Sequence, residues 1–222
     1  MSDAAPADSP GPHPKREIDL GAMPERARYG LLTSVVVPRP IAWVSSLDAD
    51  GVPNLAPHSY FMILSTDPPI LGFVSVGEKD TLRNIRETGD YVINIAGEHL
   101  IEALNLSSAD FPSRESEFAW AGLTPEPSRH VRAPAVAEAA VALECRLREV
   151  VPYGNTPNYL IVGDVAHLRL AEAVVRDGRV AADLLRAVGR HGGPVYSRTA
   201  DLFTLERPRY ADMAARRPDG DS

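Results

Sequence analysis

One segment, from Pro38 to Asn84, constrains the fold of this chain more than any other. Its apolar runs are short and are separated by turn residues, a pattern typical of successive antiparallel strands. The strands that it predicts are Ile41 to Leu47, Val52 to Leu64 and Ile70 to Val76. The first two are joined by Asp48-Ala49-Asp50-Gly51, which has the composition of a tight hairpin turn. The segment therefore predicts a meander of neighbouring strands.

The flanking sequence extends this pattern. Leu31 to Val37 is predicted as a strand that ends at Pro38-Arg39-Pro40, because two prolines remove two ladder donors. Further strands are predicted at Tyr91 to Ala96, Pro134 to Val151 and Asn158 to Leu170, and short helices at Asp80 to Thr88, Glu98 to Leu106 and Val180 to Val188. Strands with inserted short helices predict a mainly β fold, an antiparallel Greek-key barrel with helices packed outside it.

Two of these elements rest on specific residues. Gly89 stands where a glycine ends the Asp80 to Thr88 helix. The alanines of Pro134 to Val151 favour a helix, but Val141, Leu143 and Cys145 alternate with polar residues as in a half-buried strand. We therefore predict a strand there.

The domain organisation follows from length and composition. A chain of 222 residues with 44% hydrophobic content is long enough for one core, which we place at residues 17–208. Residues 1–16 are rich in proline and small polar residues and are predicted to be a disordered N-terminal arm. Residues 209–222 are predicted to be a disordered C-terminal tail or a short dangling helix.

Several classes of protein are disfavoured by the sequence. It shows no signal peptide and no apolar stretch of membrane-spanning length, so we expect a soluble, cytoplasmic protein without a membrane partner. The net charge of -7 disfavours nucleic acid as a partner. Cys145, the single cysteine, is expected to be a packed core thiol, and the six histidines lack metal-ligand spacing, so no metal site is predicted.

The triplet Lys79-Asp80-Thr81 opens a predicted helix and is the first candidate site. The preceding Gly72 to Gly77 stretch approaches a phosphate-binding loop pattern, but the lysine is displaced by one residue and strand formers replace the flexible loop. A monophosphate needs only a few helix-start N–H groups, a hydroxyl and a cation, which Thr81 and Lys79 would supply. The alternative is an ordinary helix N-cap.

Further candidates lie on the strands. Ser45 and Ser46 are either turn residues or neighbours of that helix start, and a mid-strand Asn54, with Ser59 nearby, suggests a purpose beyond packing. Tyr60 and Phe61 are either core residues or cofactor contacts. Late in the chain, Gly192-Gly193 forms a turn or allows a ligand close to the backbone. The neighbouring candidates are Arg190, His191 and Tyr196.

Two common enzyme folds are disfavoured, because no G-x-G-x-x-G opens a βα unit and no G-x-S-x-G elbow exists. Instead, six pieces in order resemble the flavin reductase-like family of FMN-binding split-barrel proteins. They are PRPIAWVSS (38–46), DGVPNLAPHSYF (50–61), DPP (67–69), KDTLRNI (79–85), YVINIA (91–96) and RHGGPVY (190–196). The resemblance covers Tyr29 to Pro208.

The resemblance implies an FMN site. Its phosphate would be held by Ser45 or Ser46 with Lys79 and Thr81, while Asn54 and the Ser59 to Phe61 backbone would bond the ribityl chain and the ring edge. Arg190, His191 and Tyr196 match a segment that lies near the flavin in such proteins, often at a site shared across a homodimer. Arg39 also matches the family pattern, either as a flavin contact or as a tie within the barrel.

The resemblance also implies an activity, the transfer of hydride from NADH or NADPH to flavin, with electrons passed on to free flavin or a partner oxygenase. Hydride passes directly between two stacked rings, so no catalytic side chain is expected. The first alternative is a non-catalytic FMN-binding electron carrier of the flavoredoxin type. An oligonucleotide-binding barrel, the second, is disfavoured by the acidic balance and the 6% aromatic content.

Overall fold

A computed structural model describes residues 13–210 and 213 of the chain. Its main feature is a seven-stranded antiparallel sheet with the strand order β2-β1-β5-β8-β9-β4-β3. The seven strands are β1 (Ala42–Leu47), β2 (Pro53–His58), β3 (Phe61–Thr66), β4 (Pro69–Val76), β5 (Asp90–Ile95), β8 (Val141–Tyr153) and β9 (Asn158–Leu170). The minor strands are β6 (Pro125–Glu126), β7 (Ala135–Val136), β10 (Val175–Arg176), β11 (Arg179–Val180), β12 (Val188–Arg190) and β13 (Tyr196–Arg198), which form three two-stranded sheets.

The large sheet is curled into a split barrel. Strands β2 and β3 stand at opposite ends of the strand order, yet only Ser59 and Tyr60 separate them in sequence. This short connection brings the two ends of the sheet together. We call the connection, Ser59-Tyr60, the seam. The antiparallel, mainly β split-barrel architecture predicted from the sequence is confirmed.

Within the part of the chain that the structure describes, five short α-helices surround the barrel. They are α1 (Glu25–Val35), α2 (Asp80–Thr88), α3 (Ile101–Leu106), α4 (Glu117–Trp120) and α5 (Ala182–Leu185). Helix α2 has the predicted bounds, and Gly89 follows it in the left-handed conformation at φ 77°. A residue other than glycine would be strained at that φ.

The core lies on both faces of the sheet, because successive strand residues point to opposite sides. On one face, Ala42 and Val44 join a cluster inside the barrel that includes Phe73 and Ile85. On the other face, Trp43 packs with α3 and α4. The strand predicted at Pro134 to Val151 is confirmed from Val141 onward as β8, whereas Ala135–Val136 form the separate strand β7. Burial raises the pKa of the Cys145 thiol to about 12. The thiol is therefore protonated at neutral pH and packed, as expected.

The strand predicted at Leu31 to Val37 is wrong, since Leu31 to Val35 complete helix α1. The β-branched residues of this run favour a strand, but hydrogen bonds made by the Thr33 and Arg39 side chains override that preference. The Thr33 hydroxyl bonds back to the Tyr29 carbonyl at 2.9 Å, and the Arg39 guanidinium donates to the carbonyls of Thr33 and Val36 at 2.6 and 2.8 Å. The last turn thus has its carbonyls satisfied from beyond the helix.

Two further predictions need correction. The single strand expected at Val52 to Leu64 is broken at the seam into β2 and β3, and β1 pairs with β5 rather than belonging to a simple meander. Three strands separate β1 from β4 in the sheet order, so these two strands are not neighbours within the sheet. Because β2 lies at the end of the sheet beyond β1, only the curling of the barrel brings it towards β4. The helix expected at Val180 to Val188 is limited to α5, because Arg186 adopts φ 48° and ends it.

The predicted N-terminal arm lies outside the described residues over positions 1–12, and the predicted tail does so at 211–212 and 214–222. Within the described part of the chain, no helix has both the length and the apolarity needed to cross a lipid bilayer.

Candidate functional site

A cleft of about 460 Å³ opens beside the seam. Its walls come from β2, the seam, the end of β4, the start of α2 and the loop between α3 and α4. The lining residues used below are Asn54, His58, Ser59, Tyr60, Glu78, Lys79, Asp80, Thr81, Asp110 and Glu117. A volume of this size is within the range of small-molecule and cofactor sites.

The start of helix α2 forms one wall of the cleft. Lys79 occupies the N-cap position with an extended backbone, and among the described residues no side chain caps this helix end. The first N–H groups of any helix lack an intrahelical partner, and those of α2 lie beside the cleft without a side-chain cap among the described residues. Such a helix start attracts anions through these donors and through the helix dipole.

A chain of hydrogen bonds crosses the floor of the cleft. The Thr81 hydroxyl donates to Oδ1 of Asn54 at 3.0 Å, and Nδ2 of Asn54 donates to Oε1 of Glu117 at 2.8 Å. The other oxygen of Glu117 accepts from the backbone N–H of Leu55 at 2.8 Å. We call Thr81, Asn54 and Glu117 the relay. It links α2, β2 and α4.

His58 lies beside the relay, with Nε2 3.5 Å from Oγ1 of Thr81. Its pKa is lowered to about 4, chiefly by burial and to a smaller extent by the positive charge of Lys79, although a backbone hydrogen bond involving Val74 raises it. His58 is therefore neutral at physiological pH and adds no charge to the cleft.

The charges around the cleft are mostly negative. Lys79 is the one cation among its described lining residues, against four carboxylates: Glu78, Asp80, Asp110 and Glu117. Three of these carboxylates have a cationic partner: Arg86 for Glu78, Arg83 for Asp80 and Lys79 for Asp110. Glu117 has no cationic partner among the described residues; it accepts hydrogen bonds from Nδ2 of Asn54 and from the Leu55 backbone, and burial raises its pKa.

The two predicted strand serines lie behind the cleft rather than in its lining. Ser45 is fully buried, and its hydroxyl donates to the Pro134 carbonyl at 2.5 Å. Ser46 is also buried and pairs in register with Asn54, to whose Oδ1 it donates at 3.4 Å. Nδ2 of Asn84 donates to the Ser46 hydroxyl at 3.2 Å. Ser46 therefore connects Asn84 to Asn54 of the relay on the side away from the cleft.

Ser59 and Tyr60 form the seam and line the cleft, whereas Phe61 packs against the core cluster inside the barrel. Arg39 is buried and acts as a tie within the fold. Besides its two bonds to α1, it donates to the His191 carbonyl at 2.9 Å and approaches the Ser59 hydroxyl at 3.4 Å. These bonds engage its guanidinium with protein groups.

The late candidates belong to the β12–β13 hairpin and do not line the cleft. The Arg190 guanidinium lies over the Tyr196 ring at 4.3 Å, and the Tyr196 hydroxyl bonds Asn105 at 3.3 Å. His191 is tied to the cleft wall through Arg39. The structure thus brings Asn54, Ser59, Tyr60, Lys79 and Thr81 together, while Arg190, His191 and Tyr196 stand apart.

Sequence reasoning missed Glu117 and His58. Glu117 follows a loop rich in small polar residues and touches β2 across 62 to 63 positions of sequence, so no local pattern marks it. His58 ends strand β2, where its burial arises only from the curling of the barrel.

The chain is similar to known proteins in both sequence and fold. A family model described as "Flavin reductase like domain" matches residues 34–185. An uncharacterized protein from Halalkalibacterium halodurans is 37% identical over 202 residues, covering 86% of this chain and 96% of that protein.

Two solved structures are similar over nearly their whole length. Nitrilotriacetate monooxygenase component B from Bacillus cereus has a TM-score of 0.84 and 35% identity, covering 87% of this chain and 100% of that chain. The 2-nitrobenzoate 2-nitroreductase of Pseudomonas fluorescens has a TM-score of 0.82 and 32% identity, covering 88% and 98%.

Proposed function

The chain belongs to the flavin reductase-like family, and from that premise we propose that it is an FMN-binding oxidoreductase that takes hydride from NADH or NADPH. The observation that carries the proposal is the cleft beside an uncapped helix start, with Lys79 and Thr81 at its edge. An anion and a flat group would fit together there, because the cleft joins a donor-rich wall to the side chains of the seam.

The residues present fit the phosphate of FMN. The free N–H groups of α2 supply donors, and Lys79 supplies a positive charge about half exposed to solvent. The phosphate would replace Asp110, which is bonded to Lys79 at 3.1 Å and almost fully exposed. An exposed ion pair of this kind is weak, so a dianion would displace it at little cost.

The remaining lining residues would hold the rest of the cofactor. Asn54 is placed to bond the ribityl chain, and the Ser59-Tyr60 seam to contact the ring edge. In the proposal, Ser45, Ser46 and Phe61 support these groups from behind. Arg190, His191 and Tyr196 stand apart from this cleft, so they would contact a cofactor at a site shared across a homodimer, as the family pattern implies.

When bound, FMN supplies the hydride-accepting centre, so the chain itself needs no nucleophile. The side chains near the cleft agree with a role for the protein in binding and not in nucleophilic chemistry. His58 is neutral at physiological pH, and Cys145 is a buried, protonated thiol away from the cleft. The protein would bind and orient the two rings and exclude water between them.

The electron acceptor is a separate proposal. One similar structure is a monooxygenase component and the other a nitroreductase. We propose transfer to free flavin or to a partner oxygenase, in line with the first of these.

We also propose that the protein works as a homodimer. Strand β3 is an end strand of the sheet and exposes three consecutive large apolar side chains, Met62, Ile63 and Leu64, at 48%, 70% and 43%. Helix α1 adds exposed Val35. An exposed apolar edge of this length is costly in water and is typical of an interface. Light scattering coupled to size-exclusion chromatography would give a dimer mass, and a monomer mass would overturn this part.

The test of the function is a steady-state assay. The purified protein with FMN should oxidise NADH or NADPH far faster than FMN alone does, and replacing FMN with riboflavin should weaken binding because the phosphate contacts are lost. Failure of both nicotinamide nucleotides to be oxidised would overturn the enzyme proposal. FMN binding without turnover would instead favour the electron-carrier alternative.

A further inference from the structure

Glu117 occupies the far end of the relay and is 6% exposed. Both of its carboxylate oxygens accept hydrogen bonds, one from the Leu55 backbone and one from Nδ2 of Asn54. A backbone N–H cannot change its direction, so the oxygen facing Leu55 must remain an acceptor. The bond to Asn54 is therefore the adjustable one.

The protonation state of Glu117 determines how the Asn54 amide is oriented. An ionised carboxylate only accepts, so Asn54 must turn its NH₂ group towards Glu117. Oδ1 of Asn54 then faces Thr81 and Ser46, and both hydroxyls donate to it. The single proton of the Thr81 hydroxyl is thereby engaged with Asn54. Towards the cleft, Thr81 presents only lone pairs, which repel an anion.

We propose that Glu117 is a positioning residue that, through the Asn54 amide, sets whether the Thr81 hydroxyl accepts from or donates to the ligand in the cleft. When the Glu117 carboxylate is ionised and accepts from Asn54, the Thr81 proton is engaged with Asn54, and the Thr81 hydroxyl can only accept a hydrogen bond from the ligand. With a donor there, the Asn54 amide turns over, its NH₂ group bonds the Thr81 oxygen, and the Thr81 proton is released from Asn54. A phosphate, as a charged acceptor, would then compete for that proton with Nε2 of the neutral His58, which lies 3.5 Å from the Thr81 oxygen. The choice of ligand rests on the proposed function, whereas the coupling within the relay does not.

The other charged groups near Glu117 agree with this role. From α2, the negative charge of Asp80 raises the pKa of Glu117, as does burial, which has the larger effect. Strand β2 contributes only N–H donors and the neutral His58. Lys79, the cation of the cleft lining among the described residues, is bonded to Asp110. Binding of an anion would thus favour loss of the Glu117 charge.

Glu117→Gln tests the proposal with a side chain of nearly the same shape. Glutamine must use its oxygen for the Leu55 N–H, which leaves its NH₂ group facing Asn54 and forces the Asn54 amide to turn over. We expect FMN to bind about tenfold more tightly, since Thr81 gains a hydrogen bond to a charged group. The affinity for riboflavin, which lacks the phosphate, should stay within about twofold.

Thr81→Val separates the relay from simple removal of a negative charge. In the Thr81→Val background, Glu117→Gln should tighten FMN binding by only about twofold, the part due to charge alone. An equal gain in both backgrounds, or no gain in either, would overturn the proposal.

A measurement without ligand tests the relay independently of FMN. In an NMR spectrum of the free protein, the side-chain NH₂ protons of Asn54 should show a nuclear Overhauser effect to the Thr81 methyl group that is strong in Glu117→Gln and weak in the parent protein. An Asn54 amide with the same orientation in both proteins would overturn the proposal. If FMN fails to bind the parent protein, the proposed function falls, while this measurement still decides the relay.

Discussion

The hydroxyl of Thr81 donates to Oδ1 of Asn54 at 3.0 Å, although 27 positions of sequence separate the two residues. This bond joins the first turn of α2 to strand β2 and so fixes the helix start against the barrel. The family fold thereby places an uncapped helix end, a hydroxyl and a carboxamide around one cleft.

Lys79→Ala should weaken FMN binding about five- to tenfold, because the cleft loses its cation while the side chain is only partly desolvated. Riboflavin affinity should change little. Fluorescence titration with both flavins measures the difference. Lys15→Ala is the matched control, since Lys15 is exposed and lies outside the cleft. Equal losses for FMN and riboflavin in Lys79→Ala would contradict phosphate binding by Lys79.

His58 should make the free energy of unfolding depend on pH between 6.5 and about 4. The unfolded chain takes up a proton at a pKa near 6.5, whereas the folded protein resists it until about 4. Stability from this group is thus complete above pH 6.5 and declines by about 3 kcal/mol as the pH falls to about 4.

The measurement is urea unfolding of the parent protein and of His58→Gln at several pH values. The difference between their unfolding free energies should shrink as the pH falls through this window. A difference that does not vary with pH would show that His58 is readily protonated in the folded state.

Arg39→Lys should lower the free energy of unfolding by about 3 kcal/mol, because a lysine cannot reach the carbonyls of Thr33, Val36 and His191 together. Arg148→Lys is the control, since its ion pair with Asp164 is exposed to solvent and should contribute little to stability. Thermal unfolding measures both. If Arg39→Lys were as stable as the parent protein but bound FMN weakly, Arg39 would be a ligand contact and not a tie.

Gly163→Ala should destabilise the barrel by about 2 to 3 kcal/mol, because the added methyl group would overlap the Tyr91 hydroxyl and approach the Arg146 carbonyl at 3.0 Å. The Tyr91 hydroxyl is buried and has no hydrogen-bond partner within the described structure other than a weak contact with the Cys145 thiol. Tyr91→Phe alone should therefore be nearly neutral.

Combining the two substitutions should recover part of the loss, since the phenylalanine lacks the overlapping oxygen, although its ring carbon would still lie 2.9 Å from the added methyl group. Equilibrium unfolding of the two single variants and the double variant gives the coupling between the sites. Simple additivity of the two effects would contradict the close approach of Tyr91 to Gly163.

The parts of the fold that the sequence predicts are those set by local chemistry. Helix α2 has the predicted bounds because Gly89 adopts the left-handed conformation that ends it. The long strands β8 and β9 follow from alternating apolar residues, as at Val141 and Cys145. In these elements, propensity and tertiary packing agree.

The parts that the sequence does not predict depend on distant partners. Leu31 to Val35 are helical because Arg39 satisfies carbonyls at the end of α1, which no local pattern reveals. In the candidate site, Lys79 and Thr81 are visible as a helix start, but Glu117 reaches Asn54 from 63 positions away. Ser45 is indistinguishable in sequence from a ligand-binding serine, and only the structure shows its bond to Pro134.

The most direct test of the central claim is the visible spectrum of the FMN-loaded protein under anaerobic conditions, before and after addition of NADH or NADPH. We expect the oxidised flavin absorbance to bleach rapidly with at least one of the two nucleotides, and to return when air is admitted. Flavin that stays oxidised with both nucleotides would contradict the proposed hydride transfer.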